Sequence, residues 1–203
     1  MSGFVTAILL SAGKSTRMGY PKALLDWQGI PLIRYQVENL IKGGVSQVIV
    51  VLGHDHKEIS KYVTDSQAEL IINERYDKGK ITSIHKGISV VSDESSDIMI
   101  LSVDQPRDYK IIRDLIKSHS ASKSLISIPS NGVKSGHPIM FSVVLKGKLF
   151  EISESNKGLK ALIDEYRAKI NYVKFKNKTI FLDMNTDEEY KLAKKIFVKF
   201  LNI

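Results

Sequence analysis

The sequence contains no cysteine, which excludes disulfide bonds, a thiolate nucleophile and zinc sites built from thiolates. No segment reaches the roughly 18 apolar residues that a membrane span needs, and the apolar start, Phe4–Leu10, leads into a glycine loop instead of a signal-peptide cleavage site. Internal repeats, low-complexity tracts and long linkers rich in proline, glycine or serine are also missing. These absences predict a soluble, cytoplasmic protein whose residues 1–203 form one domain.

The charge of the chain is unbalanced, with 30 Lys and Arg against 22 Asp and Glu and a formal net charge of +8. Such an excess suits nucleic acid, an anionic membrane surface or phosphorylated small molecules. The lysines between Lys169 and Lys199 are mixed with aliphatic residues at helix or strand spacing, which favours a solvated basic face over a nucleic-acid groove. The predicted partners are therefore phosphorylated small molecules, with no nucleic acid and no membrane.

Short β-branched apolar segments alternate with longer segments of helical period, which is typical of a mainly parallel sheet covered by helices on both faces. The predicted strands are Val5–Leu10, Gln47–Leu52, Glu69–Ile72, Ile98–Val103, Ser124–Ile128, Pro138–Phe141, Ile170–Phe175 and Thr179–Leu182. The predicted helices are Leu32–Lys42, Lys57–Val63, Thr82–Val91, Tyr109–Ser118, Gly158–Tyr166 and a terminal helix capped by Thr186. We therefore expect an α/β fold, a Rossmann-like three-layer αβα arrangement.

A loop rich in small and basic residues, Leu9–Lys22, follows the first strand at the edge where open α/β sheets bind ligands. Its small residues let the main chain approach phosphate oxygens, and Lys14, Arg17 and Lys22 add three cations. It matches neither the Gly-x-x-x-x-Gly-Lys-Ser/Thr loop nor the Gly-x-Gly-x-x-Gly loop. Taken alone, the same residues also fit a turn with solvent-facing lysines.

Two acidic positions are candidates for binding Mg²⁺, which takes oxygen ligands from one or two carboxylates. Asp104 ends a buried-looking strand at the same edge as the glycine loop, although it also fits the start of a turn. Asp183 and Asn185 alternate to one side of an extended segment. Asp187–Glu189 fit better as favourable charges in the first turn of a helix.

The loop resembles the Leu-x-Ala-Gly-x-Ser-x-Arg-Met-Gly-x-Pro-Lys pattern of the MobA-like nucleotidyltransferases. Pro21 before Lys22, together with Asp104-Gln105-Pro106, is similar to the molybdenum cofactor cytidylyltransferase branch. The guanylyltransferase branch usually has Gly-Gly where this chain has Ala12-Gly13, and Asp where it has Pro21. It tends to have Asp-Met-Pro where this chain has Asp104-Gln105-Pro106. Near the end of the chain Asn185 replaces a common acid of the family, which weakens it as a metal ligand more than Asp183.

The resemblance implies a nucleotidyltransferase (GT-A-like) fold, with a nucleotide-binding half over residues 1–130 and an acceptor-binding, closing half over residues 131–203. The implied nucleotide-binding residues are Leu10, Ser11, Ala12, Gly13, Lys14, Ser15, Lys22, Gly53, Gly79 and Ser83. The implied catalytic residues are Lys14, Arg17, Lys22 and Asp104, and the metal ligands are Asp104 and Asp183. The implied acceptor-binding residues are Gln105, Pro106, Gly136 and His137.

The activity that the resemblance implies is Mg²⁺-dependent transfer of CMP from CTP to the phosphate of the molybdenum cofactor, with release of pyrophosphate. A molybdenum hydroxylase that receives the product would be a further partner. Guanylyl transfer to the same cofactor and nucleotidyl transfer to a sugar or polyol phosphate are alternatives, because no residue pattern identifies the base. A non-catalytic nucleotide-binding or cofactor-binding module is the alternative of another class. Asp104 together with Asp183 favours an enzyme, because a pure binder has less need of a metal site.

Overall fold

The computed structural model describes residues 3–201, so the outermost residues of the predicted domain, 1–2 and 202–203, lie outside the described part. The strands are β1 (Val5–Ser11), β2 (Asp26–Trp27), β3 (Ile30–Pro31), β4 (Gln47–Leu52), β5 (Glu69–Ile72), β6 (Asp97–Ser102), β7 (Ile126–Ser130), β8 (Ile139–Ser142) and β9 (Ile170–Lys174). The α-helices are α1 (Leu32–Lys42), α2 (His56–Ser60), α3 (Lys80–Ile88), α4 (Tyr109–Ser122), α5 (Lys146–Glu151), α6 (Leu159–Glu165) and α7 (Asp187–Leu201). Within these bounds no helix is long and apolar enough to cross a membrane.

Seven strands form the central sheet in the order β5-β4-β1-β6-β8-β7-β9, and β2 and β3 form a separate hairpin. The pairings of β1 with β4 and β6, of β4 with β5, and of β7 with β9 are parallel. Strand β8 runs antiparallel to both of its neighbours. The carboxyl ends of β1, β4 and β6 therefore share one edge with the start of β8, so His137, just before β8, lies at that edge.

Apolar side chains alternate along the buried strands and form one core on each face of the sheet. On the first face, Val5, Ala7 and Leu9 pack with residues of α1, α4 and α7. On the second face, Ile8 and Leu10 pack with residues of α3, α5 and α6. The three-layer αβα arrangement and the mainly parallel sheet are thus confirmed.

The C-terminal helix returns to the start of the chain and packs on the β2–β3 hairpin. The Trp27 and Phe197 rings lie 5.1 Å apart, and both side chains are fully buried. The predicted cap is confirmed, because the Thr186 hydroxyl accepts the amide of Glu189 at 3.2 Å and the Glu189 carboxylate accepts the Thr186 amide at 3.2 Å. This packing brings the segment before α7 against the glycine loop.

The predicted strand Thr179–Leu182 is wrong, because this segment is a 3₁₀ turn over Lys178–Phe181. The Asn177 side chain accepts the Thr179 amide at 2.8 Å and starts the turn. The carbonyl groups of Ile180 and Leu182, which a strand would offer to a neighbouring strand, accept hydrogen bonds from Arg107. A buried cation from another segment therefore decides the conformation here.

Candidate active site

A cavity of about 310 Å³ opens at the carboxyl ends of β1 and β6. Its lining combines residues of the glycine loop with residues of the strand end that carries Asp104: Leu10, Ser11, Ala12, Gly13, Ser15, Thr16, Arg17, Pro21, Lys22, Ala23, Ile59, Tyr76, Lys80, Ser83, Ser102, Val103 and Asp104. This volume is at the lower end of the range for small-molecule sites. The structure thus brings Arg17, Lys22 and the predicted strand carboxylate Asp104 to one cavity.

An ion pair joins the glycine loop to the end of β6. Lys22 Nζ donates to Asp104 Oδ2 at 2.8 Å, and the two side chains are only 12% and 18% exposed. A second bond of the same ammonium reaches Asn185 Oδ1 at 2.9 Å. Lys22 therefore lies between the strand carboxylate and the C-terminal segment, where its charge is partly shielded from water.

Asn185 connects the loop cations to the second predicted carboxylate. Its carbonyl oxygen accepts from Arg17 at 3.2 Å as well as from Lys22, and its amide nitrogen donates to Asp183 Oδ1 at 2.9 Å. The other oxygen of Asp183 accepts from Gln105 Nε2 at 3.2 Å. A carboxylate at position 185 would have no proton to donate to Asp183, so the asparagine that departs from the expected pattern allows the two side chains to lie together.

The donor set fits a divalent cation that binds together with a polyphosphate. Across residues 3–201 no group of three or more His, Cys, Asp or Glu side chains could hold a metal ion by itself. A chain of hydrogen bonds through Lys22 and Asn185 connects the Asp104 and Asp183 carboxylates. Mg²⁺ commonly binds through one or two carboxylates plus substrate phosphates and water, so two carboxylates beside the loop cations match its chemistry.

The backbone of the loop leaves room and hydrogen-bonding capacity for a ligand. No atom lies within 4 Å of the position that a Cβ on Gly13 would take, so the space above this residue is open. The Ser11 hydroxyl is buried at the wall of the cavity and has no hydrogen-bond partner within the described chain. Ser15 accepts the Lys22 amide at 3.1 Å and holds the loop in a closed turn. A polar ligand would satisfy the Ser11 hydroxyl.

Three predicted nucleotide-binding residues do not line the cavity. The Lys14 ammonium lies 5.8 Å from the centre of the Tyr76 ring. A Cβ on Gly53 would come within 2.7 Å of the Ala12 carbonyl oxygen, so this glycine serves the packing of the loop. Gly79 has φ +110° and faces the Glu154 carboxylate. The other seven predicted nucleotide-binding residues line it.

The predicted acceptor residues do not line the cavity and lie near the segment that ends at Asp183. Gln105 is 4% exposed and bonds to Asp183, and Pro106 is buried next to it. Gly136 is buried against the Ile180 carbonyl, and the His137 amide donates to that same oxygen at 3.1 Å. These four residues therefore lie next to the segment that carries Asp183.

Arg107 connects these residues to one another by hydrogen bonds. The sequence alone does not indicate this role, beyond the position of Arg107 directly after Asp104-Gln105-Pro106. Its side chain is fully buried, and burial lowers the pKa of the guanidinium to about 9, so it stays charged at neutral pH. Its donors reach the carbonyl groups of His137 (2.7 Å), Pro106 (2.8 Å), Ile180 (2.9 Å) and Leu182 (3.1 and 3.2 Å). One side chain therefore fastens three segments that carry predicted site residues.

Tyr76, Lys80 and Ser102 line the cavity although they were not predicted as site residues. Lys80 follows Gly79 directly, and helix α3 begins at Lys80, two residues before the predicted start. The Lys80 ammonium donates to the Ser102 hydroxyl at 2.8 Å. A predicted helix start at position 80 instead of 82 would have placed Lys80 at the ligand edge of the sheet and so marked it as a candidate site residue.

His137 is neutral at physiological pH. Burial, followed by the charges of Arg107 and Lys80, lowers its pKa to about 4. A neutral imidazole with so low a pKa is a poor general base, but its ring can donate or accept a hydrogen bond. The role of His137 at the acceptor side stays a prediction.

We expect His137→Asn to reduce the acid sensitivity of folding. The folded pKa lies below the usual value of 6.5, so the stability that comes from keeping this ring neutral is fully present above pH 6.5 and is lost as pH falls toward 4. The shift corresponds to about 3 kcal/mol. Urea unfolding at pH 7 and pH 4 should therefore show a smaller loss in the variant. His54→Asn, at a side chain that is 41% exposed, should keep the wild-type loss, and equal losses in all three proteins would contradict the assignment.

Comparison with curated proteins finds relatives over nearly the whole chain. The chain is 25% identical to the molybdenum cofactor cytidylyltransferase of Escherichia coli in an alignment of 203 positions that covers 96% of this chain and 98% of that protein. It is 24% identical to the nicotine blue oxidoreductase of Paenarthrobacter nicotinovorans in an alignment of 193 positions that covers 91% of this chain and 94% of that protein. Relatives of similar identity thus carry different names.

Comparison with solved structures supports the fold. Rv0371c from Mycobacterium tuberculosis superposes with a TM-score of 0.84 at 22% identity, over 96% of this chain and all of that one. A structure of Rv0371c in complex with manganese superposes with a TM-score of 0.80. The family model described as the MobA-like NTP transferase domain matches residues 7–170, which contain the glycine loop, Lys80 and Asp104. With that match over most of its length, the chain belongs to the family of MobA-like NTP transferase domains.

Proposed function

We propose that this protein transfers CMP from CTP to the phosphate of the molybdenum cofactor and releases pyrophosphate. The observation that supports this most is the ion pair of Lys22 with Asp104, because it joins the polyphosphate-binding loop to the candidate metal carboxylate within one cavity. The family supports nucleotidyl transfer in general. The choice of the cytidylyl branch rests on Pro21, on Gln105 and on the E. coli relative.

The loop cations would bind the leaving part of the triphosphate. Arg17 and Lys22 share the Asn185 carbonyl oxygen and need little reorganisation to face phosphate oxygens. Charge-assisted bonds to phosphate are stronger than neutral ones, and fixed donors stabilise the charge that builds up on departing pyrophosphate. Lys22, beside Asp104, would lie closer to the α-phosphate than Arg17.

Asp104 and Asp183 would hold the divalent cation, and the family and the donor set are the grounds for expecting Mg²⁺. When bound, the cation neutralises phosphate oxygens and orients the triphosphate. Asn185 keeps the Asp183 carboxylate turned toward the loop through the 2.9 Å bond. The protein groups thus supply alignment and charge, which carry most of the rate in transfers of this type.

The acceptor would be a phosphate monoester, which is already ionised near neutral pH. Its oxygen attacks the α-phosphorus in line, the bond to the β-phosphate oxygen breaks, and pyrophosphate leaves. No side chain is required as a strong base, which agrees with the neutral His137. Gln105, Pro106, Gly136 and His137 would shape the acceptor side.

We expect CTP to be the preferred nucleotide. Pyrophosphate release should be measured with CTP, GTP, ATP and UTP in the presence of molybdenum cofactor and Mg²⁺. A preference for CTP of at least about tenfold in kcat/KM over each rival, worth 1.4 kcal/mol, would support the proposal. A preference for GTP would transfer the assignment to guanylyl transfer. Nucleotide binding with no turnover on the cofactor or on sugar and polyol phosphates would favour a binding module.

A further inference from the structure

Lys80 reaches the cavity from a different side than the loop cations. It is the first residue of α3, whose apolar residues Ile81, Ile84 and Ile88 pack on the second face of the sheet. Ala23 and Met184, the neighbours of Lys22 and Asn185, pack on the first face. Cations therefore approach the end of β6 from both faces.

The Lys80 ammonium bonds to a neutral group at the end of β6. It donates to the Ser102 hydroxyl at 2.8 Å, and Ser102 lies two residues before Asp104. Within residues 3–201 no carboxylate lies within ion-pair distance of Lys80. The Glu154 carboxylate near the helix start accepts the Ile81 amide at 3.2 Å instead. The exposed Lys80 side chain thus lies at the cavity wall with no carboxylate partner among the described residues.

The loop cations that line the cavity contact side chains of the candidate metal site instead. Lys22 pairs with Asp104, Arg17 bonds to Asn185, and Lys14 lies outside the cavity lining. After burial and the charge of Arg107, Lys80 also lowers the pKa of His137, so its field reaches the segment predicted to bind the acceptor. The antiparallel register pairs Ile100 of β6 with Ile139 of β8, so Ser102 and the Lys80 ammonium bonded to it lie toward His137, just before β8. Lys80 therefore lies on the side of the cavity next to the segment predicted to bind the acceptor.

We propose that Lys80 binds the phosphate of the acceptor and holds it for attack on the nucleotide. The inference rests on the proposed function, since it assigns one cation of the site to the second substrate. The Ser102 hydroxyl holds the Lys80 ammonium at the end of β6. The acceptor phosphate replaces this contact or adds to it when it binds. The two substrates are thus held by different cations, the triphosphate by the loop and the monoester by Lys80.

Lys80→Met removes the charge and keeps a side chain of similar length. Because a charge-assisted contact is lost, we expect the KM for molybdenum cofactor to rise by about tenfold or more, while the KM for CTP changes by less than about twofold. Lys80→Arg should recover part of the loss. Lys86→Met, at an exposed position of the same helix, should behave like the wild type in both constants.

A binding measurement separates this inference from the proposed function. Inorganic phosphate is titrated by calorimetry into the protein saturated with Mg²⁺ and a CTP analogue with a non-hydrolysable α,β-methylene link. We expect binding that weakens by about fivefold or more in Lys80→Met and not in Lys86→Met. Equal phosphate binding in wild type and Lys80→Met, no phosphate binding in the wild type, or a matching loss of CTP affinity in Lys80→Met would overturn the inference. Phosphate binding that depends on Lys80, in a wild type that does not turn over, would refute only the proposed function.

Discussion

Asp104→Asn is expected to lower kcat by about a thousandfold, because it removes several kcal/mol of stabilisation of the charge on the transferring phosphate. The substitution keeps the size of the side chain but removes the negative charge that pairs with Lys22 at 2.8 Å. It also weakens the candidate site for the divalent cation. Pyrophosphate release at saturating CTP and cofactor measures the effect.

Nucleotide binding should survive this substitution in part, since the loop residues from Leu10 to Ser15 remain in place. Titration with CTP in the presence of EDTA should therefore show an affinity within about tenfold of the wild type. Asp114→Asn is a suitable control because its side chain is 48% exposed on α4 and, among the described residues, forms an ion pair with Arg113 alone. Unchanged turnover in Asp104→Asn would refute the role of Asp104 at the metal.

Arg107→Met is expected to destabilise the fold by about 3–5 kcal/mol, the range for breaking a buried charge network. The guanidinium donates to four carbonyl groups, three of them in buried bonds, and methionine removes all of these donors. The Ile180 carbonyl still accepts the His137 amide. Each buried acceptor without a hydrogen bond costs about 1–3 kcal/mol, and the relief from no longer burying a charge offsets part of the sum. Urea unfolding followed by circular dichroism measures the difference.

The matched control is Arg113→Met, since Arg113 lies on α4 with a side chain that is 43% exposed. Its unfolding free energy should stay within about 0.5 kcal/mol of the wild type. Arg107→Lys should fall between the two, because an ammonium can satisfy only part of the carbonyl set. A loss below about 1 kcal/mol in Arg107→Met would show that water replaces the guanidinium at these carbonyl groups and that Arg107 does not hold the three segments.

Several elements of the fold were predictable because their patterns are local. Helix α1 and strands β4 and β5 have the predicted bounds, since each combines a clear apolar period with a clear end. The segment after Asn177 was not predictable, because an alternating apolar pattern suits a strand as well as a turn. Its carbonyl groups bond to Arg107, a residue more than 70 positions earlier in the chain.

The parts of the candidate site that directly follow a strand were predictable from the sequence. The glycine loop and Asp104 follow β1 and β6, which are adjacent and parallel, so their meeting at one edge follows from the strand pattern. Lys80 and Arg107 were not predictable in the same way. Their partners depend on how α3 and the C-terminal segment pack on the sheet, and composition and spacing carry no information on those distances.

The sequence by itself determined most of the strands and helices of the central sheet, the alternation that buries both faces of the sheet, and the residue types at the ligand edge. Only the tertiary structure decided which of those residues meet: Lys22 with Asp104 and Asn185, Lys80 with Ser102, and Arg107 with the carbonyl groups under Asp183. The physical reason is that local backbone preference and apolar period act over a few residues. Charge pairs and buried hydrogen bonds instead form between segments that become neighbours only when the helices pack on the two faces of the sheet.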